Sequence, residues 1–140
     1  MDVSVDGISM EPLLKKGDSI FVKYQSSYSV GDIVLFDYAD EGLLVHRILR
    51  VDDDLFFCKG DNSFRLELIS YDSIIGKVLS CNGEFLKPLS MELICLSYEV
   101  GRLFKSNKFS KKLTIQSAAY CCYKEKLISF LETINEDEII

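Results

Sequence analysis

Short runs of apolar residues alternating with polar ones fill the first part of the chain. They read as strands near 3–8, 19–23, 32–38, 43–51, 55–59, 66–69 and 74–81. Gly-Asp pairs at 17–18, 31–32 and 60–61 punctuate these runs. Asn82-Gly83 between 74–81 and 84–86 is a strong hairpin signal. Beyond Pro88 the period changes. Leu93, Leu96, Val100, Leu103 and Phe104 mark one amphipathic helix, with Ser90 as its N-cap. Leu113, Ala119, Tyr120, Leu127 and Leu131 suggest a second. The pattern predicts a mainly β fold: a small, coiled antiparallel β unit over 1–88, then a helical extension over 89–140.

Composition narrows the function. The 140 residues include 48% hydrophobic and 27% charged side chains, ordinary for a globular chain. The net charge is −6, and all of the acidic excess lies in 1–88, with 9 basic and 15 acidic residues. Such a surface argues against nucleic acid as a partner. No apolar run approaches a membrane span, and the first eight residues lack a secretory signal. Five cysteines in odd number, without an export signal, point to a reducing, cytoplasmic location. One histidine and no Cys-x-x-Cys leave no usual zinc site, so no metal or other cofactor is expected. Cys121-Cys122 reads as a pair of buried free thiols without chemistry.

Three segments carry candidate chemistry. Ser9, after a strand and before a Pro-containing turn, is placed either to present a nucleophile or to cap the turn at 10–15. His46, the only histidine, shares a strand face with Leu44 and Ile48 and opposes Val45, Arg47 and Leu49. It reads either as a structural group on an apolar face or as a general base. Asp61, in a Gly-Asp-Asn turn, and Glu67, six residues later, are two candidates to orient that imidazole.

Gly-x-Ser-Met-Glu-Pro-x-Leu, two Gly-Asp blocks, Val-His-Arg-Ile and Lys-Gly-Asp-Asn, in this order, resemble the signal peptidase I superfamily of serine peptidases, which includes LexA-like autoproteases. The resemblance covers about 3–80. It implies a Ser nucleophile at Ser9 and, in the archaeal and endoplasmic-reticulum variant with His in place of Lys, a general base at His46. Asp61 matches the first acidic position of that variant, and Glu67 is the nearest equivalent of a later Asp. Gly7 replaces a Ser common in signal peptidases, which leaves more oxyanion stabilisation to the backbone N–H of Ser9. Lys15, Lys16, Lys23, Lys59 and Lys77 are competing amines, none at the expected position of a Lys base.

Only eight residues precede Ser9, which leaves no room there for an anchor or a DNA-binding domain. The expectation is a free-standing endopeptidase that trims a leader, signal or propeptide from a polypeptide precursor. Substrate would bind extended, by strand addition. Ile8, Met10 and Phe21 are candidate groove residues, with core packing as the plainer role of each. Two other readings compete. One is a catalytically silent peptide-binding module. The other is peripheral membrane or partner docking through Arg102, Lys105, Lys108, Lys111 and Lys112 beside Leu103, Phe104 and Phe109. The plainer reading of that stretch is a solvated loop. The helices could also cover a sheet edge or make a dimer contact.

Overall fold

The computed structural model describes residues 1–106 and 117–139, with side chains through residue 132 apart from that of Ser106. Eight strands form one antiparallel sheet: β1 (Asp2–Ser4), β2 (Ser19–Lys23), β3 (Ile33–Asp37), β4 (Leu43–Asp52), β5 (Leu55–Lys59), β6 (Glu67–Ser70), β7 (Ile74–Cys81) and β8 (Glu84–Phe85). Spatial order is β1-β2-β7-β3-β4-β5-β6, with β8 added to β7. Register shifts at Phe21/Val22, Leu35/Phe36 and Ile48/Arg50 interrupt the ladders. Such bulges bend strands and increase local twist, and the sheet curls into a half-barrel. The predicted mainly β fold followed by helices is therefore the observed one.

β1 ends earlier than the periodicity suggests. Val5 still donates to Asp18 O, but then Asp6-Gly7 leads the chain out of the sheet into the turn that carries Ser9. The Asn82-Gly83 hairpin forms with φ of 52° and 85°, the left-handed pair that this turn requires. The Asn82 side chain ties it to β2, accepting from Ser19 N–H.

Helix α1 (Met91–Ser106) begins at Ser90, whose Oγ accepts from Leu93 N–H at 3.3 Å. Helix α2 (Ala118–Ile139) begins after Ser117, whose Oγ accepts from Tyr120 N–H at 3.1 Å. The predicted position Leu113 lies outside the described residues. The helices share one apolar cluster with Leu49 of β4 and with Phe64. Two further clusters sit on the sheet: one with Val34, Phe36, Ile48 and Cys58, the other with Met10, Ile20, Val22, Leu35 and Val78. β4 thus has different neighbours on its two faces, and this positions the site.

Candidate active site

Alternation along β4 sends Leu44, His46 and Ile48 toward the Phe36 cluster and Val45 and Leu49 to other clusters, as the sequence predicts. His46 is buried, and Phe36 meets its ring edge-on at 6.0 Å. Its Nε2 lies 3.0 Å from Ser9 Oγ, and its Nδ1 meets Glu67 Oε1 in a short contact. An ionised carboxylate only accepts, so the imidazole proton belongs on Nδ1. That leaves Nε2 as the acceptor for the Ser9 hydroxyl. Ser9 Oγ is therefore directed at the imidazole instead of capping the turn at 10–15.

Glu67 arrives through pairing of β5 with β6, opposite Cys58. It is fully buried, and its second oxygen takes a 3.4 Å contact from Arg65 Nε. Arg65 is itself fixed by Glu41 at 2.9 Å and lies over the Tyr38 ring. Glu67 and Glu41 hold the Arg65 guanidinium pKa above its ordinary value, with the Glu41 hydrogen bond the largest contribution.

Asp61 is not brought to His46. Both of its carboxylate oxygens accept from Arg47, from Nε and Nη2, each at 2.9 Å. Arg47 Nη1 donates to Gly31 O, so this cation is held on three bonds. Burial works against the Arg47 charge, but Asp61 more than offsets it and the guanidinium pKa is raised. Of the two acids read from the sequence, Glu67 faces the imidazole and Asp61 fixes the turn at 60–63.

That turn also holds the Ser9 segment. Asn62 N–H donates to Ser9 O at 2.8 Å, and Asn62 Nδ2 donates to Ile8 O at 3.1 Å. Asp61 N–H meets Met10 Sδ at 3.3 Å. Gly60 allows the approach: a Cβ there would lie 2.5 Å from Ser9 O. Lys59 is wholly buried, with Nζ donating to Gly60 O and Ser63 O at 2.8 and 2.7 Å. Burial lowers its pKa to about 8. It is the amine with a base-like pKa, yet those hydrogen bonds are spent on the turn.

A cleft of about 440 Å³ opens at Ser9, lined by Val3, Val5, Gly7, Leu35, Leu43 and Val45 among others. Two free strand edges flank it. β1 pairs only with β2, and β4 between Leu43 and His46 pairs only with β3 among the described residues. The backbone N–H of Ser9 has no hydrogen-bond partner among the described residues. A larger cavity, about 680 Å³, lies elsewhere, between β8 and α2.

The model of the Peptidase S24-like family matches residues 2–79, more than half of the chain, and this span contains every residue just described around the imidazole. The chain belongs to the Peptidase S24-like family. No curated protein matches it. The S24-like span ends before both helices, so α1 and α2 stand outside the matched unit.

Gly7 lines the cleft, as does the groove candidate Met10, which is also core at 2% exposed. Ile8 and Phe21 are 60% and 39% exposed, so the core role does not hold for them. On β2 the buried set is Ile20 and Val22, which leaves Phe21 on the other face. Cys121 is exposed and Cys122 half-buried, against the expected pair of buried thiols, because Tyr123 and Leu127 take the inward positions of α2. Of the basic stretch, Arg102 pairs with Glu99, while Lys108, Phe109, Lys111 and Lys112 lie outside the described residues. No helix among the described residues is long and apolar enough to cross a membrane. Arg65, Asn62, Tyr123 and Lys124 were not singled out from the sequence; Asn62 alone had a signal, in the Lys-Gly-Asp-Asn block.

Proposed function

We propose that this S24-like chain is a serine endopeptidase of the His-base kind, performing limited proteolysis on a polypeptide precursor. The observation that carries the reading is the 3.0 Å contact between Ser9 Oγ and His46 Nε2, with Glu67 behind Nδ1. In the acylation step His46 Nε2 takes the Ser9 proton as Oγ bonds to the substrate carbonyl carbon. The resulting oxyanion accepts from Ser9 N–H. His46 returns the proton to the leaving amine as the peptide bond breaks, and Glu67 stabilises the transient imidazolium. Water, deprotonated by His46, then releases the acyl group and restores Ser9.

Substrate enters extended between the free edges of β1 and β4, and the aliphatic lining of the cleft favours apolar side chains before the scissile bond. The test is a proteome-derived peptide library incubated with wild type, Ser9→Ala and His46→Ala, with new termini read by mass spectrometry. Cleavage by wild type alone is expected. Equal cleavage by Ser9→Ala would refute the assignment. Peptide binding without cleavage by wild type would make the chain a silent binding module.

A further inference from the structure

Helix α2 lies outside the family match, yet it reaches the turn at 60–63, which holds the segment carrying the nucleophile. Tyr123, 1% exposed, donates its phenol O–H to Asp61 O at 2.7 Å, and its ring lies 5.1 Å from Lys59 Nζ. Burial pushes the phenol pKa well up, so it remains a donor throughout the working range. Lys124 Nζ donates to Asn62 Oδ1 at 3.0 Å. This choice of acceptor fixes the Asn62 amide, because with its oxygen toward Lys124 its nitrogen is left for Ile8 O. The backbone N–H of the same residue holds Ser9 O. Two consecutive residues of α2 therefore grip two consecutive residues of the turn, and the turn grips Ile8 and Ser9.

We propose that Tyr123 and Lys124 are positioning residues for Ser9, acting through Asp61 and Asn62, so that docking of α2 sets the reach of the nucleophile to His46. The proposal rests on the peptidase reading for its catalytic consequence, but the contact chain is testable without it. Neither residue touches the reacting atoms. Their effect is on geometry, and misplacement of a nucleophile by an ångström is enough to slow a reaction about a hundredfold.

The experiment uses the full chain with Tyr123→Phe and Lys124→Met, singly and combined, Lys124→Arg, and Lys126→Met as the control. Tyr123→Phe keeps the ring over Lys59 and removes only the hydroxyl. Lys126 pairs with Glu92 at 3.0 Å and so joins α2 to α1 without meeting the turn. Two quantities are read: amide exchange at Asn62, and kcat and KM on a peptide that wild type cleaves. In the combined variant Asn62 exchange should accelerate about tenfold by local opening. Its kcat should fall about tenfold with KM nearly unchanged, as expected for lost orientation. Lys124→Arg should restore much of both relative to methionine, and Lys126→Met should change neither.

Unchanged Asn62 exchange in the combined variant would overturn the clamp whatever the activity. Faster exchange with unchanged kcat would overturn its positioning role. Equal effects in Lys126→Met would reduce it to general helix packing. Faster exchange at Asn62 alone, in a protein whose wild type cleaves nothing, would support the clamp and sink only the peptidase reading.

Discussion

His46 and Arg47 are adjacent on β4, both are buried, and each meets one carboxylate. His46 keeps one nitrogen turned toward a hydroxyl at the mouth of a cleft. Arg47 spends its donors on Asp61 and Gly31, and its raised pKa keeps it charged at any ordinary pH. The first pair leaves a ring nitrogen turned to Ser9, whereas in the second each guanidinium nitrogen is hydrogen-bonded. Period-two alternation separates these two arrangements by a single residue: one face of β4 meets Ser9 and Glu67, and the other meets the turn at 60–63 that holds the Ser9 segment.

The largest effects should come from breaking the two pairs separately. Glu67→Gln should leave the fold intact but lower kcat by about a thousandfold or more, since an amide no longer fixes the tautomer or stabilises the imidazolium. Circular dichroism and cleavage rates measured together check this. A variant equally inactive and unfolded would mean that Glu67 is structural. Asp61→Ala should behave in the opposite sense. It strands the buried Arg47 cation and should cost about 3–5 kcal/mol in denaturant unfolding. Activity would then be lost through Ser9 placement.

Lys59 sharpens the contrast because it is a buried cation with no carboxylate bonded to it. Its pKa falls from 10.5 in the unfolded chain to about 8 in the fold. Between those values the unfolded state binds more protons, so the contribution of Lys59 to stability rises with pH. Below about pH 8 the charged form carries the full burial penalty, and above 10.5 the penalty is gone. Burial raises the Cys58 thiol, and this works the other way at high pH by disfavouring the native state once the unfolded thiol ionises. The comparison must therefore be made with Lys59→Met, in which Cys58 is common to both proteins. Relative to that variant, wild type should gain up to about 3 kcal/mol as pH rises from 7 to 10.5. A pH-independent difference would mean that Lys59 is already neutral at pH 7 or stays charged throughout.

The sequence carried the parts of the site but not their wiring. Ser9 and His46 stood out because turn chemistry and a lone histidine are local signals, and the Asn82-Gly83 hairpin was equally local. Asp61 and Glu67 stayed interchangeable because the choice depends on which strand lies beside β4. Pairing of Ile48 with Cys58 and of Cys58 with Glu67 delivers Glu67 to the histidine face, and strand order is a long-range property. Tyr123 and Lys124 were silent for the same reason. Their partners at 61 and 62 lie 62 residues away, and helical periodicity marks Tyr123 as core without saying what it touches. Phe21 and Ile8 differ in kind: large apolar side chains invite a core assignment, but large apolar side chains are common on protein surfaces.

The smallest effect should come from Arg65, which stands behind Glu67 and differs from Arg47 chiefly in exposure. Its side chain is 45% exposed, against 2% for Arg47. Solvent screens both its bond to Glu41 and its longer contact with Glu67. Removing it strands no buried cation, and Glu67 keeps His46 as a partner. Arg65→Ala should therefore cost no more than about 1 kcal/mol in denaturant unfolding. A cycle with Glu41→Ala should give a coupling of only a few tenths of a kcal/mol. If the cost instead approached that of Asp61→Ala, Arg65 would be a structural counter-ion to Glu67. The two faces of β4 would then no longer differ in kind.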